Sequence, residues 1–290
     1  MASGIDLFAG FRAGYSDVRT LFALRGLILA TVVSLICARF VAAPDEPTLT
    51  KEQIRQFLLT AKVVDSKQSQ KGISNTWRLT LSDGTLTHDA SFQSIDKHEV
   101  RGEFANGQTE LNFVDSYKYN IAAYVLAELL GLDDMLPVYV ERKWKGDSGS
   151  LSWWLPVKMD EMERVKQKIP VQDIDAWNKQ MYRIQVFDQL VYDSDPNLTN
   201  VLIGEDWKLW RIDFTRAFRI STDLRNPKGL VRCDRQLFEK LKKLDANELA
   251  AKTTHYLTKT EVKAVMARRD KIVTYFRKLI SEKGEDEVLY

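Results

Sequence analysis

Residues 173–214 constrain the fold more tightly than any other stretch of the chain. Over 173–192, Trp177, Met181, Ile184, Phe187, Leu190 and Val191 recur at the spacing of one helix face. With no linker, the chain then enters the polar run Asp193-Ser194-Asp195-Pro196-Asn197-Leu198-Thr199-Asn200. Two short β-leaning runs follow, 201–203 and 208–212, on either side of Gly204-Glu205-Asp206, which has the composition of a hairpin turn. A helix, a polar loop and a hairpin in immediate succession leave little freedom. Asn200 and Asp213 are expected at the two outer ends of one hairpin, where strand pairing brings side chains together.

Asp195 and Asn200 are five positions apart, and Asp213 follows thirteen later. Carboxylate and amide oxygens are the ligands preferred by hard cations such as Mg2+ or Mn2+. A phosphoryl group in transfer spreads charge over its equatorial oxygens, so handling one requires such ligands on a metal and a further carboxylate near the incoming hydroxyl. In that scheme Asn200 and Asp213 hold the metal and Asp195 accepts the hydroxyl proton as general base. Asp, Asn and Pro are also ordinary turn residues. The apolar helix before the loop, the hairpin after it and the spaced third carboxylate set this loop apart from a plain turn.

Composition narrows the alternatives. The 290 residues are 44% hydrophobic and 28% charged, a globular balance long enough for one large folded part or two small ones. Four of the 42 basic and two of the 40 acidic residues lie in 1–43, leaving 38 of each beyond. That balance offers no basic footprint, so no nucleic-acid partner is expected. The two cysteines and three scattered histidines exclude a disulfide framework and a Cys/His zinc site. Residues 1–43 read as a signal peptide or signal anchor: Arg25 precedes an apolar run over 26–38, and Val41-Ala42-Ala43 leads into Pro44. The run is shorter than the roughly 20 apolar residues of a membrane span. Export or membrane anchoring follows from this reading, and a cytoplasmic location if translation starts later.

Beyond Pro47, Thr50 is placed to cap a short entry helix. The runs 61–65, 76–81 and 85–95 lean towards strand, the first two linked by the polar segment 66–75 and the last two by Ser82-Asp83-Gly84. Ile121, Ala122, Val125, Leu126, Leu129 and Leu130 predict a helix over 116–130, stopped by Gly131. Two further strands, at 138–140 and 150–157, flank the turn 145–149. After Pro156 the pattern turns helical, at 160–168, 173–192, 235–244, 246–256 and 259–280, and 281–287 reads as a low-complexity acidic tail. The fold class is α+β: a small β-rich part with one main helix over 48–156, then a mainly helical part over 157–290.

The Asp195, Asn200 and Ile212-Asp213-Phe214 pattern resembles that of atypical kinases, the group of phosphatidylinositol kinases, HipA-type toxins and secretory-pathway protein kinases. The span 72–219 is similar to an uncharacterised bacterial family of kinase-like proteins. The similarity runs through Leu81-Ser82-Asp83-Gly84-Thr85, Asn120-Ile121-Ala122-Ala123-Tyr124, Leu130-Gly131-Leu132, Trp153-Trp154, 175–181 and Thr215-Arg216-Ala217-Phe218. Pro196, Thr199 and Thr215 depart from the relatives' motifs without removing a ligand. The resemblance implies a two-lobed protein-kinase-like fold that binds ATP and Mg (or Mn) between its lobes. It also implies an ATP-dependent phosphotransferase acting on a hydroxyl acceptor in a protein, a lipid or a small molecule.

A kinase pairs the phosphates with a lysine on its third strand. Gln93 stands at that place, with Lys97 just beyond and Lys71 or Arg78 as other sources of charge. Lys71, Gly72 and Ser74 lie in the loop expected to cover the phosphates, a weak signal with a single glycine. Without the lysine the alternative is a pseudokinase, a nucleotide-binding or scaffold module that turns over little or nothing. Trp153-Trp154 would lie where an adenine could stack or would fill the core, and Arg216 and Arg219 would take an anion or pair with carboxylates.

Overall fold

The Thr50 hydroxyl accepts a hydrogen bond from the Gln53 N–H at 3.2 Å, and the Gln53 side chain accepts from the Thr50 N–H at 2.8 Å, closing a capping box on helix α1 (Lys51–Thr60). The computed structural model describes residues 49–69, 76–103, 107 and 109–290. The expected signal or anchor over 1–43 lies outside the described residues. Among those residues no helix is long and apolar enough to cross a membrane, and Thr48–Tyr290 clusters as one compact unit.

Strands β1 (Lys62–Gln68), β2 (Trp77–Ser82) and β3 (Thr87–Gln93) follow α1. Then come a hairpin of β4 (Asp96–Glu103) and β5 (Thr109–Ser116), helix α2 (Lys118–Leu130), and strands β6 (Tyr139–Trp144) and β7 (Asp147–Trp153). The five-stranded sheet has the order β1-β2-β3-β7-β6, antiparallel throughout. Leu79, Leu81, Ala90, Phe92 and Leu151 alternate along their strands onto one buried face. α2 packs on β6 and β7, burying Ala122, Ala123, Leu126 and Ala127. Burial of each large apolar side chain stabilises by roughly 1.5–3 kcal/mol. Gly131 ends α2 at φ 65, its N–H bonded to the Ala127 and Glu128 carbonyls. Gly149 serves close approach instead: a Cβ there would lie 2.5 Å from the Gln93 carbonyl oxygen, forcing β7 off β3.

Two departures from the sequence reading have physical causes. β1 runs on through Ser66-Lys67-Gln68, which pair with Leu79, Arg78 and Trp77, so the start of the expected 66–75 loop is strand. The β4–β5 hairpin was not expected at all, because all of β4 except Gly102 is exposed and no apolar alternation marks it. Backbone pairing, the Phe113 ring against Gly102, and ion pairs to Glu110 hold it.

The second half contains β8 (Met159–Asp160), α3 (Glu161–Gln167), α4 (Ile174–Val191), β9 (Val201–Ile203), β10 (Leu209–Arg211), α5 (Arg235–Lys243), α6 (Ala246–Lys252), α7 (Lys259–Lys283) and α8 (Glu285–Val288). Side chains of Asp160, Asp173, Asp234, Asp245 and Thr258 cap the five helices from α3 to α7. The tail read as low complexity is folded: it completes α7 and forms α8, Val288 is fully buried and its carbonyl accepts from the Cys233 N–H at 2.9 Å. Arg268 of α7, with no exposed surface, donates to the carbonyls of Leu190 and Arg219, both at 2.8 Å. It thereby fixes the end of α4 beside the segment that follows Asp213.

Candidate functional site

α4 ends at Tyr192, left-handed at φ 49, and delivers the chain into the polar loop. Asp193 is almost fully buried and pairs with Arg211, which has no exposed surface and whose Nε also lies 3.2 Å from Asp188. The same guanidinium donates to the Ile212 carbonyl. Arg225 donates to the Asp193 carbonyl at 2.6 Å, and the Asp195 N–H to the Asp193 carboxylate at 3.0 Å. Partly buried among these charges, the Asp188 carboxyl is pushed up to about 6, desolvation outweighing Arg211. Asn197 caps the turn Leu198–Asn200 by accepting from the Thr199 N–H at 2.8 Å.

The expected hairpin is present. Leu209, Trp210 and Arg211 pair with Ile203, Leu202 and Val201, and the Asn200 carbonyl accepts from the Ile212 N–H at 3.0 Å. Asn200 and Asp213 therefore lie at the two ends of adjacent strands. The Ser194 N–H and hydroxyl donate to the Arg216 carbonyl at 3.3 and 2.9 Å, locking the Asp195 loop to the segment just after Asp213. Asp213 has φ 60 and accepts from the Thr215 hydroxyl at 3.1 Å. Burial raises its carboxyl above the usual range, and Asp115 adds to this while Thr215 and Arg211 oppose it.

Asn200 and Asp213 line one cleft of about 740 Å³, together with Gln93, Tyr139, Trp154 and Lys158. The volume is in the range of small-molecule sites. Asp195 is exposed on the adjoining loop and does not line the cleft. Lys97 is exposed on β4, opposite Asp115, and is likewise absent from the lining. Lys71, Gly72 and Ser74 lie outside the described residues. Trp153 stacks on His88 with centroids 3.5 Å apart, whereas Trp154 is about one-third exposed beneath the Arg78 guanidinium, 4.4 Å from its ring centroid. Arg78 is itself bonded to Asp89 at 2.7 Å. Arg216 and Arg219 both pair with Glu110 of β5, Arg219 at 2.6 Å.

Gln93 has a partner that sequence reasoning missed. The Asn120 amide, fully buried in α2, donates to Gln93 Oε1 at 2.7 Å and to Ser150 Oγ at 3.1 Å, and its oxygen accepts from the Phe214 N–H at 2.7 Å. A lone amide in an otherwise apolar helical face was the available signal. Arg211 was also missed, although a cation within the short strand before Asp213 required a buried counter-charge.

Among the described residues no group of three or more His, Cys, Asp or Glu side chains is arranged to hold a metal. One carboxylate and one amide still suit Mg2+, which is commonly bound through one or two carboxylates plus substrate phosphates. Asp213 lines the cleft beside Asn200, where a carboxylate and an amide oxygen fit such a cation.

The chain has a kinase-like fold: a mixed α/β architecture that a solved kinase shares. That structure is the Helicobacter pylori proinflammatory kinase CtkA, which matches at a TM-score of 0.51 over 78% of this chain and 98% of its own, with 8% sequence identity. No protein-family model and no curated protein matches the sequence.

Proposed function

We propose that the chain is an ATP-dependent phosphotransferase, with the sheet-bearing and helical parts acting as two lobes around the cleft. The observation that carries this reading is the convergence of Asn200 and Asp213 on one cleft at the ends of a single hairpin. The kinase fold shared with CtkA supports it. Asn200 and Asp213 would hold Mg2+ or Mn2+, whose charge offsets that of the phosphates when bound. Asp195, exposed on a loop tied to the same segment, would take the proton of a hydroxyl acceptor as its oxygen bonds to the γ-phosphorus and ADP departs. The acceptor is a hydroxyl of a protein, a lipid or a small molecule.

The Gln93–Asn120 pair favours a second reading. It is neutral where protein kinases use a Lys–Glu ion pair, and a neutral pair adds no charge opposite the phosphates. Nucleotide would then bind without turnover. Incubation of the full chain with labelled ATP and Mg2+ or Mn2+ separates the two. Incorporation of label that disappears in Asp213→Ala supports the enzyme. A nucleotide-dependent rise in melting temperature with no label transfer supports the binding module. Neither response, from wild type, removes both.

A further inference from the structure

Asn120 links the sheet to the backbone that carries Asp213. A backbone N–H can only donate, so the Asn120 atom 2.7 Å from the Phe214 nitrogen must be the amide oxygen. The amide nitrogen therefore faces Gln93 and Ser150, and Gln93 in turn turns Nε2 towards Thr76 Oγ1 at 3.3 Å. Each orientation follows from the one before it, which makes the relay unambiguous. Its end point is the peptide between Asp213 and Phe214. Asp213 occupies the left-handed region at φ 60, a conformation disfavoured for a side-chain-bearing residue and kept only where the surroundings hold it. The direction of its carboxylate depends on that peptide.

We propose that Asn120 is a positioning residue for the Asp213 carboxylate. The neutral relay Gln93–Asn120–Phe214 performs the geometric part of a kinase's Lys–Glu ion pair and contributes none of its charge. In this chain, placing the metal ligand and neutralising phosphate are separate tasks. The inference rests on the metal–nucleotide reading of the cleft, so its test includes a readout that needs no ligand.

The full chain, Asn120→Ala and the double variant Gln93→Lys/Asn120→Asp are compared by two measurements. The first is hydrogen exchange over 213–218 without ligand, and the second is the Mn2+ concentration that half-saturates the ATP-dependent rise in melting temperature. The double variant keeps an acceptor facing Phe214 and gives the new carboxylate a cation. Asn120→Ala is expected to speed exchange over 213–218 and to raise the Mn2+ midpoint by about 10–100-fold, the usual effect of losing a group that orients a metal ligand. The double variant is expected to return both towards wild type. Unchanged exchange in Asn120→Ala overturns the relay, and faster exchange with an unchanged midpoint overturns its positioning role. If Asn120→Ala does not fold, the double variant decides: retained protection and midpoint support the proposal, and their loss overturns it. A wild type that takes up no Mn2+ with ATP removes the metal–nucleotide reading, and the exchange result still judges the relay.

Discussion

Replacing Arg211 by Met tests whether the charges under the polar loop form one buried unit. Arg211 is fully buried, Asp193 is 2% exposed, and the guanidinium also bonds Asp188 and the Ile212 carbonyl. Met fills similar volume but leaves two carboxylates without their cation. Removing one member of a buried pair typically destabilises by about 3–5 kcal/mol, because the remaining charge stays desolvated. An exposed pair such as Lys278–Glu282 is expected to contribute only about 0–1 kcal/mol. Urea unfolding at neutral pH should therefore give Arg211→Met a loss in the upper range and Lys278→Met almost none. The pH dependence supplies a second check. Asp188 has a native carboxyl at about 6, above its unfolded value of 3.8, so the stability it contributes is full below 3.8 and lost as pH rises through 6. Without Arg211 that carboxyl rises further, and the deficit of the variant should shrink as the pH is lowered from 7 to 5. A loss below about 1 kcal/mol at pH 7, or a deficit that grows on acidification, would refute the buried-unit account.

Other outcomes follow from the same geometry. Asp213→Asn should raise the ligand-free melting temperature at pH 7 and much less near pH 4. The raised native carboxyl gives stability that is full at low pH and lost as pH rises through its native value; the same variant should lose Mg2+-dependent nucleotide binding. Asp195→Asn should lower kcat by about 10²–10⁴-fold while leaving ATP affinity near wild type, as expected for a base outside the cleft lining; a parallel loss of affinity would show that the residue acts otherwise. Gly149→Ala should destabilise by about 1–3 kcal/mol through overpacking against β3, measured by denaturant unfolding.

The elements that position the candidate site were legible because their signals are local. The apolar repeat of α4, the turn chemistry at Gly204-Glu205-Asp206 and the cap at Thr50 all reside in contiguous residues. The hairpin placing Asn200 beside Ile212 and Asp213 followed from them. What was not legible depends on partners far apart in sequence. β4 is charged and exposed, and its pairing with β5, the Phe113 ring against Gly102 and the Glu110 contacts of Arg216 and Arg219 hold it as a strand. Gln93 read as an absent lysine, whereas its role depends on Asn120, and Asn120 looks like a blemish in an apolar helix until the Phe214 N–H is seen beside it. The acidic tail read as low complexity because its signal is charge, yet it completes α7 and forms α8 beside the buried Val288 and Leu289.

Calorimetric titration of the full chain with ATP, with and without Mg2+, decides whether Asp213 serves nucleotide through a metal. Binding that depends on Mg2+ in wild type and is lost in Asp213→Ala is expected. Binding of equal strength without the metal, or retained in that variant, would contradict this role.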